Sequence, residues 1–326
     1  MRKRIIAIVA GGCSSELEVS LRSGQGISSF MDKERYDLYI VEVEGRRWEV
    51  ILPDGTKSAI DRNDFSFTES GEKRTFEFAY ITVHGRPGEN GMLQGYFDLI
   101  GMPYSSCSVL VSAMTFSKFT CNQYLKGFGV RVSESLILRS GFEISDEEVI
   151  NKIGLPCFVK PNAGGSSFGV SKVKTREDIQ QAIRKAFKED NEVMIEASME
   201  GTEITCGCYK TRDKETVFPI TEVVSTNEFY DYNAKYRKQS QNFTPARIPE
   251  ETATKVRQLT SSIYDILGCS GLVRIDYIIT KGDNINLLEI NTTPGMTDTS
   301  FIPQQVRAAG LDIKDVMTDI IENKFS

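Results

Sequence analysis

The segment that most constrains the fold lies at the start of the chain. Arg4-Ile-Ile-Ala-Ile-Val9 is a continuous, largely β-branched apolar run that ends in Gly11-Gly12. A strand without polar alternation needs cover on both faces, the situation of a parallel sheet flanked by helices. A helical stretch from about Val19 to Phe30 follows, and Tyr80-Ile-Thr-Val83 is a second buried strand that runs into a glycine-rich loop. Strand, glycine loop and helix in that order put ligands at the carboxyl ends of strands. Met1-Arg-Lys-Arg ahead of the first run and Ala-Gly-Gly-Cys13 behind it imitate an export signal. The apolar core, Ile5 to Ala10, is only six residues, short of the roughly 7–15 such a signal needs. A buried first strand explains it better, and no other run approaches the ~20 apolar residues of a membrane span.

The length of 326 residues exceeds what one core usually holds, so two or three domains around a cleft are expected. A net charge of −6 gives no electrostatic reason to expect nucleic acid as a partner. Seven cysteines, no C-x-x-C pair and a single histidine, His84, argue against a zinc site or a disulfide framework. The thiols read as buried and reduced, as in a cytoplasmic protein. Further along, Ser117 to Lys126 reads as a helix and Cys157 to Lys160 as a strand. Thr175 to Asp190 reads as a helix opened by a capping box of Thr175 with Asp178, its stripe formed by Ile179, Ala182, Ile183, Ala186 and Phe187. Strands are expected at Glu192 to Glu196, Ile204 to Tyr209, Val217 to Val224, Gly271 to Thr280 and Ile285 to Ile290. A helix carrying Val256, Leu259, Ile263 and Leu267 inward precedes the last two. The stretch from Ser225 to Phe243 is polar, Tyr- and Lys-rich and aperiodic, as a functional loop would be.

Charged residues interrupt two of the apolar strands. Asp276 stands inside Val-Arg-Ile-Asp-Tyr-Ile-Ile, and Glu289 and Asn291 end Leu-Leu-Glu-Ile-Asn. Residues i and i+2 of a strand share a face, so Glu289 and Asn291 project together and a hairpin brings Asp276 beside them. Such an oxygen set suits Mg²⁺. The plain alternative is a solvated strand face, weakened because buried charge needs a partner. Asn162-Ala-Gly-Gly-Ser-Ser-Phe-Gly169, after a strand ending in Lys160-Pro161, is a loop whose N–H groups could cradle phosphate. Alone it is a weak signal. Neither G-x-x-x-x-G-K-[ST] nor G-x-G-x-x-G occurs, which argues against P-loop and nicotinamide enzymes. Glu16 follows the first strand and His84-Gly-Arg-Pro-Gly-Glu-Asn-Gly91 follows the strand at Tyr80, so both loops should open on one rim. Asn291-Thr-Thr-Pro-Gly295 could present a backbone N–H to an oxyanion, with Arg274 assisting.

Gly11 to Ser20, His84 to Gly91, Lys160-Pro161 with Gly165 to Gly169, Tyr230-Asp-Tyr-Asn-Ala-Lys-Tyr236, Arg274-Ile-Asp276 and Glu289 to Met296 together resemble, in order and over nearly the whole chain, the D-alanine–D-alanine ligases of the ATP-grasp superfamily. The resemblance implies an α/β and α+β, three-domain ATP-grasp architecture with an N-terminal parallel α/β domain. The domains are expected at 1–103, 104–196 and 197–326, with 225–243 as a lid loop. It implies phosphorylation of one D-alanine by ATP and attack on the acyl phosphate by the amine of a second, for peptidoglycan precursors. By the same resemblance Lys118, Lys160 and Lys235 contact phosphates, and Glu196, Met199 and Glu203 surround the base and ribose. Asp276, Glu289 and Asn291 bind magnesium, expected as two ions, with Mn²⁺ as an alternative. Glu16 holds the first ammonium in a set with Ser166 and Tyr236. Arg274 and the Gly295 N–H face the tetrahedral intermediate, and His84, Ser300 and Phe301 are substrate contacts. A cytoplasmic homodimer with D-alanine and ATP as its small-molecule partners, and no membrane, is expected. Relatives that form esters carry His where Tyr236 stands. Asn90 replaces the usual Asp, which bears on the stability of its loop, and Phe301 the common Leu, which leaves fine specificity for the second substrate open. D-serine or D-lactate in that position, or a non-catalytic small-ligand-binding protein, are the alternatives.

Overall fold

The computed structural model describes residues 2–165, 167–225 and 240–326. The first sheet has the order β4-β3-β2-β1-β7, with β1 (Arg4–Gly11), β2 (Tyr36–Glu44), β3 (Arg47–Ile51), β4 (Lys57–Ala59) and β7 (Phe78–Ile81). β1 pairs in parallel with both β2 and β7, and all but its first residue are buried, as the unbroken apolar run demands. The parallel character stops there. β3 and β4 extend the edge antiparallel, and β5 (Ser66–Glu69) with β6 (Glu72–Thr75) forms a separate hairpin. α1 (Leu17–Phe30) covers one face of the sheet and α2 (Met92–Leu99) closes this part of the chain.

α3 (Val109–Phe116) and α4 (Lys118–Lys126) lead to a second, antiparallel sheet of order β10-β9-β11-β8. Its strands are β8 (Ser135–Arg139), β9 (Cys157–Pro161), β10 (Ser171–Val173) and β11 (Glu192–Ala197), with α5 (Asp146–Lys152) and α6 (Ile179–Ala186) packed on it. The helix expected from Thr175 is shorter than its stripe suggests. Arg176–Asp178 is a 3₁₀ turn, and Thr175 Oγ1 donates to the Asp178 carboxylate rather than capping a backbone N–H. Ile179, Ala182, Ile183 and Ala186 are buried as the pattern requires.

The third sheet is antiparallel, of order β15-β14-β12-β16-β17, with β13 beside β12. It comprises β12 (Gly201–Lys210), β13 (Glu215–Val217), β14 (Thr221–Ser225), β15 (Ser240–Phe243), β16 (Val273–Thr280) and β17 (Asn284–Asn291). α7 (Glu250–Leu267) buries Val256, Ile263 and Leu267 against it, in one core with Cys107, Val111, Cys121 and Leu125 from α3, α4 and the segment before them. α8 (Phe301–Ala308) and α9 (Ile313–Glu322) pack Ile302, Val306, Val316, Met317, Ile320 and Ile321 onto Ile6 and Ile8 of β1. Each such side chain contributes about 1.5–3 kcal/mol when fully buried, so the first and third sheets are held by one shared core.

Candidate active site

Parallel pairing of β1 and β7 puts the loops after both strands on one rim, as expected. Glu16 comes from the first loop, His84 and Glu89 from the second, and all three line a cavity of about 600 Å³. Gly295, Ser300 and Phe301 close its far side, with Arg274, Glu289 and Asn291 from the third sheet. A second cavity, of about 170 Å³, lies between the second and third sheets and holds Lys160, Glu196, Met199, Glu203 and Asp276 among apolar walls such as Phe158, Val170, Ile278 and Leu288. The cavities meet at Lys118, Gly164, Gly165, Arg274, Glu289 and Phe301, which line both. Every described residue to which the resemblance assigns a contact therefore lines one cavity or the other. Ser166, Lys235 and Tyr236, and most of the 225–243 loop, lie outside the described residues.

The hairpin β16–β17 carries the charge centre. Asp276 pairs with Glu289, and Arg274 with Asn291. Like charges directly opposite on a ladder repel, so the two carboxylates need cations. Arg274 supplies one, its Nε and Nη2 reaching the two Asp276 oxygens at 2.9 and 2.7 Å. Lys118 supplies the other, 3.5 Å from Glu289. Asp276 Oδ1 also accepts from Thr205 Oγ1 at 2.5 Å, and Oδ2 from Asn291 Nδ2 at 3.2 Å. Among the described residues no three His, Cys, Asp or Glu side chains are grouped so as to hold a metal ion; the set here is two carboxylates and an amide. That set fits a hard dication by charge and by oxygen chemistry. Asp276 would have to release a donor and Asn291 turn its amide oxygen inward, because its Nδ2 now faces Asp276.

On the other side of the junction, Lys118 Nζ donates to Gly164 O at 2.5 Å, and Asn162 accepts the backbone N–H groups of Lys118 and Phe119. Asp190 accepts from Ala163 N at 2.8 Å. These bonds tether the glycine loop to α4 and to the end of the second sheet. Deeper in, Lys160 Nζ lies 2.5 Å from Glu196 Oε1, both side chains nearly buried, so each neutralises the other when nothing else is bound.

Glu16 and Glu89 form an acidic pocket at the opposite end. A side chain on Gly165 would come within 2.7 Å of both Glu16 oxygens, so only glycine lets the loop rest on that carboxylate. Glu89 accepts from Gly85 N at 2.7 Å and from Thr293 Oγ1 at 3.0 Å. Enclosure among protein atoms, and then the charge of Glu16, push the Glu89 carboxyl up to about 7. Two carboxylates so placed suit an ammonium group. His84 Nε2 lies 3.3 Å from Ser23 Oγ, which accepts the Met296 N–H and so ties the His84 loop to the segment carrying Gly295. Ser300 begins α8 with no side-chain cap bond, and helix N-termini favour carboxylates.

Two family models match: "D-ala D-ala ligase N-terminus" over residues 5–107 and "D-ala D-ala ligase C-terminus" over residues 125–322. A D-alanine–D-alanine ligase of Phocaeicola vulgatus is 81% identical over 323 residues, covering 99% of this chain and 100% of the relative. The chain belongs to the D-alanine–D-alanine ligase family. Its fold is the ATP-grasp architecture of that family. The solved VanG D-Ala:D-Ser ligase of Enterococcus faecalis matches with a TM-score of 0.87 at 28% identity, over 99% of this chain and all of that one. A D-alanine–D-alanine ligase of Bacillus anthracis complexed with ATP matches at 0.78 and 26% identity, over 99% of this chain and 97% of that one.

Within that family frame, the cavity also contains residues that sequence reasoning passed over. Glu89 was visible only as part of a glycine-rich loop, and Arg22 as a polar position on α1, yet both line the larger cavity. The exposed Cys13 and half-buried Cys269 depart from the expectation of buried thiols; the others are buried.

The position of Glu89 has a measurable consequence. A carboxyl whose folded pKa is raised contributes stability that is complete below the unfolded value of about 4.3 and is lost as pH rises through the folded one. Glu89→Gln cannot titrate and keeps an acceptor for Gly85 or Thr293. Relative to the wild type it should melt at a similar temperature near pH ~5 and at a higher one near pH ~8. A melting difference that does not change across this window would count against the raised carboxyl.

Proposed function

We infer that the protein joins two D-alanines to D-alanyl-D-alanine, with ATP converted to ADP and phosphate, in the making of peptidoglycan precursors. The observation that carries the reading is the junction of the two cavities: a cation- and carboxylate-lined phosphate end opens directly onto an acidic pocket and a helix N-terminus. In this reading ATP occupies the smaller cavity, its base between the apolar walls near Met199 and its ribose near Glu203. Lys118 and Lys160, with Lys235 from the loop, receive the phosphates. The first D-alanine places its ammonium at Glu16, backed by Glu89 and by Ser166 and Tyr236. Its carboxylate oxygen attacks the γ-phosphorus and ADP leaves. The second D-alanine lodges its carboxylate at Ser300 and the start of α8, beside Phe301 and across from His84. Its neutral amine attacks the acyl carbon, Arg274 and the Gly295 N–H hold the oxyanion, and phosphate departs. Asp276, Glu289 and Asn291 would hold Mg²⁺, or Mn²⁺, which supplies charge neutralisation at the phosphate oxygens. Closure of 225–243 would exclude water from the acyl phosphate.

No helix among the described residues is long and apolar enough to cross a membrane; use of ATP supports a cytoplasmic site of action. Met92 and Leu99 on α2 and Leu110 on α3 are exposed large apolar residues on neighbouring helices, which supports a homodimer through that face.

The testing experiment runs ATP with D-alanine alone, D-alanine plus D-serine and D-alanine plus D-lactate, and reads phosphate and products. D-alanine alone should release phosphate stoichiometrically with the dipeptide, and Tyr236, uncharged near neutral pH, should leave the D-lactate ester a minor product. Phosphate release that needs D-serine would replace the second substrate, in line with the likeness to the D-Ala:D-Ser ligase. No ATP turnover with any of them would leave a binding protein.

A further inference from the structure

Arg86 and Asp190 join two loops that reach the active site from different sheets. Arg86 stands in the loop after β7, with His84 and Glu89. Its carbonyl accepts the Cys13 N–H at 3.1 Å, and Ser14 Oγ donates to His84 O at 3.0 Å, so the loops after β1 and β7 form one piece. Asp190 lies between α6 and β11. Its Oδ2 accepts the Ala163 N–H at 2.8 Å, where the glycine loop begins, and its Oδ1 accepts the Asn191 N–H at 2.8 Å. Arg86 Nη2 reaches the same Oδ1 at 3.6 Å and so ties the first piece to the second. The Asp190 side chain is 7% exposed and that of Arg86 58%. Around the pair lies a third cavity of about 270 Å³, walled by Ser14, Gly85, Ala163 and Phe168 and sharing Glu16, Gly164 and Gly165 with the larger one. Side chains do not fill the gap between the loops there, and the ion pair spans it.

We propose that Arg86 and Asp190 are positioning residues, a clasp that holds the glycine loop against the first-substrate loops before either ligand arrives. One arrangement of the loops then serves ATP and the first D-alanine together.

The clasp rests on the assignment of the cavities under the proposed function. There the phosphates of ATP and the carboxylate of the first D-alanine meet beside Gly164 and Gly165, so both ligands favour the clasped loops. A ligand that binds one arrangement loses affinity in proportion to the share of molecules outside it. A first ligand that restores the arrangement removes this loss for the second. Opening the clasp should therefore weaken each ligand alone and leave the second unharmed once the first is bound. Damage confined to the glycine loop would act differently, weakening the nucleotide equally with and without D-alanine. A pair with one exposed partner adds little to overall stability, so the fold does not depend on it and the loops can part for ligand exchange.

The test measures binding of adenylyl imidodiphosphate with Mg²⁺ to the full-length protein by calorimetry, without and with saturating D-alanine. Arg86→Glu sets a like charge against Asp190 and should weaken the nucleotide analogue alone by roughly three- to tenfold. With D-alanine present, its affinity should return to within about twofold of the wild type. Arg86→Lys keeps the cation and should bind like the wild type. Adding Asp190→Asn to Arg86→Glu removes the repulsion while the amide oxygen can still accept from Ala163, and should recover part of the lost affinity. The clasp is overturned if Arg86→Glu binds the analogue as the wild type does, if its loss is the same with D-alanine as without, or if Asp190→Asn recovers nothing. Wild-type protein that takes up the analogue but no radiolabelled D-alanine would overturn the substrate assignment itself, and the clasp with it.

Discussion

Glu289→Gln should lower kcat by roughly 10²–10³-fold or more, the scale of removing one preorganised electrostatic partner from a phosphoryl-transfer centre. The replacement keeps the side chain's size and one acceptor but removes its charge. In the structure that charge faces Lys118 at 3.5 Å and stands opposite Asp276 on the hairpin. In the proposed reading, bound ATP would draw Lys118 to phosphate and leave the carboxylate pair to a dication. A neutral amide there weakens that dication's hold, so the apparent Mg²⁺ requirement should rise and high metal should restore part of the rate. The fold should persist, because the Glu289 side chain is 28% exposed and glutamine keeps its size. Steady-state kinetics across a metal titration, with a thermal melt alongside, separate the effects. Near-normal kcat at ordinary Mg²⁺ would remove Glu289 from the metal set.

The readability of this site follows from where its information resides. The strand β1 was legible because an unbroken apolar run permits few environments. The hairpin was legible because a period of two forces Glu289 and Asn291 to one face, and Asp276 is too polar for its run. β3 to β6 were not legible: Lys57–Ala59 and Glu72–Thr75 are short, mostly exposed edge strands whose polar side chains carry no burial pattern. The helix after Thr175 was overextended because hydrophobic periodicity reports a buried face and not where backbone bonds begin. Glu89 was missed for a tertiary reason. Its raised carboxyl comes first from burial in the folded pocket and then from the charge of Glu16, carried there by another strand's loop. Asn162 likewise reads as a loop residue until α4 is docked against it. Lys235, Tyr236 and Ser166 remain proposals drawn from the motif, since they fall outside the described residues.

Arg274→Met should cost both rate and stability, and the two losses should separate in a double variant. Arg274 is the only group among the described residues that makes a bidentate ion pair with Asp276, at 2.9 and 2.7 Å, and both side chains are about nine-tenths buried. Removing one member of such a pair leaves an uncompensated charge, a loss of about 3–5 kcal/mol in unfolding free energy. Methionine fills a similar volume, so little of this comes from a cavity. Adding Asp276→Asn removes the stranded charge while Thr205 and Asn291 can still bond the amide. The double variant should therefore be more stable than Arg274→Met alone. Its turnover should not recover, because the proposed oxyanion donor is gone, a loss of roughly 10²–10³ in kcat, and a proposed metal ligand has gone with it. Arg274→Lys keeps the charge without the planar fork and should fall between on both measures. Urea unfolding gives the stability order, and kcat at saturating ATP and D-alanine gives the rates. If Arg274→Met turns over within a few-fold of the wild type, the arginine does not face the reacting carbon. If the double variant is no more stable than the single, the buried pair is not what holds Asp276 in place.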